Sequence, residues 1–313
     1  MADAKTMKAT RDGFGEALLE LGRQNPNVVA LSGDLEDSTR AEWFKKEFPD
    51  RFFTVGIAEQ DMFGTAAGLA LAGKIPFACS FAVFLLRGVD QIRISICYNG
   101  ANVKINGSHT GLMVGPDGAT AQALEDIAIF RALPNMAVLT PADAAETRKA
   151  TFAAAERPGP VYIRTGRAPV PLFTSEKEPF QLGKISILRD GKDVAIFACG
   201  SMVYPSLNAA DALAKKGVRA TIANVSTIKP IDRDTIIRLA KEIGVFVTAE
   251  EHQISGGLGS AIAEVTAQHC PVPIQMVAMQ DQFGESGEPD ELLAKYHLTA
   301  DDILAAALKA VDK

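Results

Sequence analysis

Four short segments carry side chains able to move protons, stack against rings or hold anions. The first is Thr54-Val55-Gly56-Ile57-Ala58-Glu59-Gln60-Asp61, where a carboxylate opens a stretch rich in Gly and Ala. Acidic groups in a first helical turn are stabilised by the helix dipole, so spacing alone favours that plain role for Glu59. Proton chemistry is the alternative. In Cys79-Ser80-Phe81-Ala82-Val83-Phe84-Leu85-Leu86-Arg87, the two Phe side chains are three apart and can share a helix face. Such pairs usually belong to a core. The third segment runs Asn106-Gly107-Ser108-His109-Thr110-Gly111, then Gly115-Pro116-Asp117-Gly118-Ala119-Thr120-Ala121-Gln122. Long glycine-rich loops carry function more often than most segments, and His109 is one of four histidines. In Arg164-Thr165-Gly166-Arg167 the Arg167 guanidinium suits an anionic group such as a sugar phosphate. A surface arginine explains it equally well.

The elements that must position these residues alternate between strand and helix patterns. Helix periodicity covers 6–24, 38–47, 60–72, 83–97, 122–133 and 142–155. Apolar strand-like runs cover 28–31, 52–55, 75–80, 103–106, 136–139 and 161–164. A second block repeats the alternation: strands at 194–199, 220–225, 245–249 and 274–277, helices at 204–216, 233–242, 257–269 and 300–311. The expectation is an α/β protein of two doubly wound domains, each with a mainly parallel sheet. Their bounds are read as 1–167 and 191–313, with the Pro- and Glu-containing stretch 168–190 as linker. All four chemical segments fall at carboxyl ends of strands, where open parallel sheets bind ligands.

Composition narrows the function classes. With 313 residues, 47% of them apolar, the chain can bury two cores. The net charge of -6 gives no electrostatic reason to expect nucleic acid or an anionic membrane. No apolar run is long enough to span a bilayer, and no signal peptide pattern opens the chain. Cys79, Cys97, Cys199 and Cys270 lack CxxC spacing, so zinc is not expected. The expectation is buried free thiols in a reducing cytoplasm.

Together these segments resemble the transketolase family, in its pyrimidine-binding and C-terminal domains. The resemblance is carried by Gly33-Asp34-Leu35 with Ser38, Gly56-Ile57-Ala58-Glu59-Gln60, Ser80-Phe81 with Phe84, Arg87, Asp90-Gln91-Ile92-Arg93, Gly107-Ser108-His109, Gly115 with Asp117-Gly118, and Arg164-Thr165 with Arg167. Further along it includes Ile228-Lys229-Pro230-Ile231-Asp232, Glu250-Glu251-His252 and Gly256-Gly257-Leu258-Gly259. Thiamine enzymes hold diphosphate and a divalent metal through Gly-Asp-Gly, and that tripeptide does not occur here. The resemblance is therefore to the C-terminal subunit of a split, two-chain transketolase.

The resemblance implies thiamine diphosphate as cofactor. Its diphosphate and Mg2+ or Ca2+ would be held by an N-terminal-type partner chain with a Gly-Asp-Gly site, in an α2β2 heterotetramer. It implies that Glu59 binds the pyrimidine ring nitrogen and favours the imino tautomer, which takes the thiazolium proton. Phe81 and Phe84 would flank the ring, and Asp34, Leu35 and Arg87 would belong to the cofactor site. His109, Arg167 and Ser38 would bind the phosphate end of the sugar, and Asp117 a substrate hydroxyl. No metal ligand is expected in this chain. The implied reaction transfers a two-carbon ketol unit between sugar phosphates, as in pentose phosphate metabolism. Ala121 departs from the pattern, because the family usually has His or Gln there to assist proton transfer. Either Gln122 or a partner group substitutes, the acceptor range differs, or the chain is a catalytically weakened paralogue. The enzymatic rivals are 1-deoxyxylulose-5-phosphate synthase and the β subunit of a 2-oxo acid dehydrogenase. For the second domain the resemblance implies a structural, dimer-forming role. There Gly256-Gly257-Leu258-Gly259 is a close-packing turn or an anion site.

Overall fold

The computed structural model describes residues 6–175, 177 and 179–312. In chain order, β1 (Met7–Ala9), α1 (Thr10–Gln24), β2 (Val28–Ser32), α2 (Glu42–Glu47), β3 (Phe52–Thr54), α3 (Glu59–Leu71) and β4 (Ile75–Phe81) come first. Next are α4 (Ala82–Leu85), α5 (Val89–Gln91), a π-helix at Ile92–Tyr98, β5 (Lys104–Ser108), a 3-10 stretch at Leu112–Asp117, α6 (Asp126–Ala132), β6 (Ala137–Leu139), α7 (Ala144–Glu156) and β7 (Val161–Arg164). The remainder comprises β8 (Pro169–Pro171), β9 (Ser186–Arg189), β10 (Val194–Ala198), α8 (Val203–Lys215), β11 (Ala220–Asn224), β12 (Thr227–Lys229), α9 (Arg233–Glu242), β13 (Phe246–Gln253), α10 (Leu258–His269), β14 (Ile274–Met279), α11 (Pro289–Lys295) and α12 (Ala300–Val311).

A seven-stranded sheet has the order β12-β6-β7-β5-β4-β2-β3, and a five-stranded sheet β14-β13-β10-β11-β9. Both are parallel except at one edge, where β12 runs against β6 and β9 against β11. The doubly wound, mainly parallel α/β plan expected from the sequence is the one observed. Buried runs such as Val28–Ser32 and Val194–Ala198 follow from helices covering both faces. On one face of the first sheet Phe14, Leu18, Phe44 and Phe77 form the core. On the other, Met62, Phe63, Phe130 and Tyr162 join a core that continues to Phe197, Phe246 and Leu258 of the second domain.

Several element boundaries differ from expectation for local reasons. The helix expected from residue 6 begins at Thr10, because Met7–Ala9 pair with Pro169–Pro171. The helix expected at 38–47 is confined to 42–47. Arg40 takes a φ of 64°, and the Thr39 hydroxyl donates to the carbonyl of Leu35 at 2.8 Å, forming a turn. The single helix expected at 83–97 is broken into short pieces. Gly88 lies against Phe63, where a Cβ would come within 2.4 Å of the ring. Residues 122–125 remain outside the helix, since Ala123 bridges to Thr110. The expected linker 168–190 contains β8 and β9, and β9 is an edge of the second sheet. β12 comes after the start of the second sheet in sequence yet completes the first one, which ties the two halves together. Cys79, Cys97 and Cys199 are buried free thiols, as expected, and Cys270 is half-buried. No helix among the described residues is long and apolar enough to cross a membrane.

The N-terminus of α10 is already occupied from within the chain. Glu250 accepts from the Leu258 and Gly259 amides at 2.6 and 2.8 Å. Of the two readings of Gly256–Gly259, the close-packing turn is the one observed. A Cβ on Gly257 would lie 2.0 Å from the Glu250 carboxylate and 2.7 Å from His252 Nδ1. Gly257→Ala is expected to destabilise the fold by about 1–3 kcal/mol, the usual penalty for overpacking, read as a lower denaturant midpoint at unchanged slope.

Candidate active site at the strand carboxyl ends

The register of the first sheet brings the chemical segments to one edge. Phe81 pairs with Ser108, Gly107 with Arg164, and Ser32 with both Thr54 and Cys79. Across that edge lie, in order, Arg167 after β7, His109 after β5, Phe81 at the end of β4, Gly33 after β2 and Glu59 after β3. The chain leaves β2 for β3 on one side and returns to β4 on the other, so strand order reverses between β2 and β4. Crevices at such reversals are the ligand sites of open α/β sheets.

Glu59 is the first residue of α3 and is 2% exposed. Its Oε2 has no hydrogen-bond partner, and the Arg87 guanidinium stands 3.8 Å away. The Ser80 hydroxyl is also buried without a partner. Gly33 lies between these two groups: a Cβ there would be 3.6 Å from Glu59 Oε1 and 3.8 Å from Ser80 Oγ. Outward from Glu59 opens a cleft of ≈ 400 Å³ lined by Ile57, Ala58, Gln60, Asp61 and Arg87. Unsatisfied buried polar atoms are unfavourable. Here they describe a place shaped for an external partner. Phe81 is the last residue of β4 and not a helical one. Its ring stacks on Phe84 at 5.4 Å and 10° and on His109 at 3.7 Å and 14°. The two Phe rings therefore form an aromatic shelf beside the crevice, which fits a flat heterocycle. The nearly buried Glu59, the orphaned hydroxyl and this shelf together fit an aminopyrimidine. Asp34, with a φ of 65°, is exposed just past Gly33, and Leu35 is half-buried beside it.

A second cluster lies next to the shelf. His109 is buried, and its Nδ1 is 3.0 Å from the Ser108 hydroxyl. Arg11 donates to the Ser38 carbonyl at 2.9 Å and its Nη1 is 3.5 Å from His109 Nε2. The Thr10 hydroxyl accepts from the Gly166 amide at 2.6 Å, which docks the start of α1 here. Burial, followed by the Arg11, Arg167 and Arg40 charges, pushes the His109 pKa down to about 3. Burial and the neighbouring Arg40 and Arg167 also lower that of Arg11. The cluster thus combines a neutral imidazole with the guanidinium groups of Arg11, Arg40 and Arg167, the last two paired with Asp12 and Asp117, an arrangement able to take an anionic group.

Sequence reading missed Arg11, which looks like an ordinary polar residue in an amphipathic helix. It becomes a site residue only because α1 docks on Gly166 and Ser38. Arg167 donates to Asp117 and to the Val114 carbonyl, both at 2.9 Å, so two expected substrate residues face each other. Gln122 does not fill the place of the missing family side chain at Ala121. Its buried amide donates to the carbonyls of Glu285 at 2.9 Å and of Gly115 and Leu112 at longer range.

Comparison with known proteins follows the same division. Residues 6–171 match the profile "Transketolase, pyrimidine binding domain" and residues 183–303 "Transketolase, C-terminal domain". A 6-deoxy-6-sulfo-D-fructose transketolase subunit, SqwH, from a Clostridium strain is 43% identical over 97% of this chain and 94% of its own length. One of the subunits of the apulose-4-phosphate transketolase of Phocaeicola vulgatus is 39% identical over 99% of this chain and 100% of its own. Among solved structures, a split-gene transketolase described as an inactive β4 tetramer superposes with a TM-score of 0.91 at 50% identity, covering 97% of this chain and 98% of that one.

The electrostatics of His109 have a measurable consequence. Its folded-state pKa lies below the unfolded value, so its contribution to stability is present above pH 6.5 and is lost as pH falls toward 3. NMR titration is expected to show this imidazole neutral from pH 8 to about 5. His109→Asn should flatten the acid limb of the stability profile.

Proposed function

The chain belongs to the transketolase family, and we propose that it is the pyrimidine-binding subunit of a two-chain, thiamine diphosphate-dependent transketolase. The reaction moves a two-carbon ketol unit from an anionic ketose to an aldose. The observation that carries this reading is Glu59, a carboxylate almost wholly buried at the strand-order reversal with an orphaned oxygen. When bound, thiamine diphosphate supplies the acidic C–H and the electron sink that ketol transfer needs. The protein's task is placement. Glu59 holds a proton at the pyrimidine nitrogen, Phe81 and Phe84 exclude water from one ring face, and Ser80 offers a hydrogen bond. Arg87, Asp34 and Leu35 border the same place.

Arg167, His109, Ser38 and Arg11 bind the charged end of the sugar, and Asp117 takes a hydroxyl. The sugars named for the two relatives carry a sulfonate and a phosphate, which suits this basic cluster. Arg167 is already paired with Asp117, so an incoming anion competes with that carboxylate for the guanidinium. Ala121 carries no group able to transfer protons, a loss worth about 10²–10⁴-fold where such a group acts. A natural acceptor that does not need that group is one consequence, and a weakened enzyme is the second reading.

In this proposal a companion chain with a Gly-Asp-Gly site holds the diphosphate and its Mg2+ or Ca2+, in an α2β2 assembly. Exposed apolar side chains on this side of the chain support it: Ile57 beside Glu59, Leu71 at the far end of α3 and Tyr98 on the π-helix packed against α3 are 73%, 72% and 82% exposed. Exposed apolar groups are one mark of interfaces. The similar split-gene protein described as an inactive β4 tetramer agrees with a subunit needing a companion.

The reconstituted complex, assayed with ketose phosphate, pyruvate and branched 2-oxo acids, separates this reading from its two rivals. Glu59→Gln should cut turnover by at least ~10²-fold, the scale of lost proton-transfer catalysis, with unchanged melting. Near-wild-type turnover sinks the role. Arg167→Ala or Arg11→Ala should raise KM for the anionic sugar about tenfold, as expected for one charge-assisted hydrogen bond, and leave KM for an uncharged analogue unchanged.

A further inference from the structure

We infer that Glu251, from the second domain, is a positioning residue for the sugar channel: its carboxylate holds the loop 109–118 in shape from behind. This rests on the proposed reading of that loop. Glu251 lies on β13 and is buried. Its Oε1 accepts from the Met113 amide at 2.6 Å, and its Oε2 from the Ser201 hydroxyl at 2.5 Å. The loop is pressed onto the carboxylate, since a Cβ on Gly111 would stand 2.2 Å from Oε1. Gly111 has a φ of 74°, a conformation that glycine adopts without strain.

The hold passes on to substrate residues. Met113 is followed by Val114, whose carbonyl accepts from Arg167. The loop itself begins at His109 and ends beyond Asp117. Glu251 is fixed in turn: Arg164 Nη2 donates to its main-chain oxygen at 2.9 Å, while Arg164 Nε donates to Asp126 at 2.8 Å. One bonded path therefore runs from the end of β7, through the second domain, into the loop and back to Arg167.

Binding is the competing explanation for a buried carboxylate. The cavity beside Glu251, lined by Thr110, Thr140, Arg164 and Ser201, has ≈ 30 Å³. That accommodates one water and no organic ligand. Burying a carboxylate is unfavourable unless hydrogen bonds and a counter-charge compensate. Here one compensating bond comes from the loop, through the Met113 amide, one from Ser201, and the counter-charge is Arg164.

The test uses Glu251→Ala and Glu251→Gln in the full chain and in the reconstituted complex. Glu251→Ala should lower hydrogen-exchange protection of peptides spanning 109–118 at least tenfold. It should raise KM for the anionic sugar about tenfold, the scale of one charge-assisted hydrogen bond. Turnover at saturation and thiamine diphosphate affinity should change little. Glu251→Gln retains an acceptor for the Met113 amide and should restore most of the protection and KM. Glu250→Gln, which weakens the α10 cap and the contact with His252, should lower melting without raising KM. Where the alanine variant does not fold, Glu251→Asp draws the carboxylate back and should show the same increases. Unchanged exchange in 109–118, or a lower melting temperature with unchanged KM, overturns the inference. If the wild-type complex turns over no sugar, the functional reading fails and the exchange measurement alone decides the bracing.

Discussion

A buried cation, Arg164, links the two domains. It ends β7, is 6% exposed, and donates to Asp126 on one side and to the main chain of Glu251 on the other. The carboxylates of Asp126 and Glu251 hold its pKa above the ordinary value despite burial, while its charge keeps that of Asp126 low. Tyr162 adds a 2.6 Å hydrogen bond to the same Asp126 oxygen. Breaking such a pair from one side typically destabilises by about 3–5 kcal/mol, because the remaining charge stays buried. The neighbouring His252 accepts from the Ala128 amide and so joins the same boundary. Through these contacts the second domain's β13 braces the strand-end edge of the first sheet.

That edge is composite. Its groups come from several elements, with Ser80 and Phe81 sharing β4. Glu59 opens α3, Phe81 closes β4, His109 follows β5, Arg167 follows β7 and Arg11 comes from α1. Parallel register makes this possible, because strands in step end at a common line. In the proposed function a cofactor and a companion chain complete the site. Glu59 Oε2 and Ser80 Oγ are buried polar atoms without partners, and nearby apolar side chains face solvent. Folding tolerates a few such penalties where binding later removes them.

Where the sequence misled, tertiary contact overrode local pattern. The apolar periodicity of 83–97 reads as one helix, yet Phe63 needs the space at Gly88, and the chain winds through short turns and a π-helix instead. The three-residue β12 gives too little signal to be found, and nothing local announces that it pairs back to β6. Arg11 and Glu251 carry no motif of their own. Glu251 was legible only as part of Glu250-Glu251-His252, where it looked structural, and its reach to Met113 spans 138 positions.

The sequence by itself determined the α/β class, two mainly parallel sheets, the family, and the strand ends at which chemistry gathers. These follow from periodicity and from short motifs, both of which are local. Tertiary structure alone decided which of those ends meet, that Glu59 Oε2 and the Ser80 hydroxyl are buried without a hydrogen bond, that Gln122 is committed to the 285 loop, and that Arg11 lies beside His109. Those are matters of register and docking between distant segments. They depend on how whole elements pack, and no window of neighbouring residues encodes them.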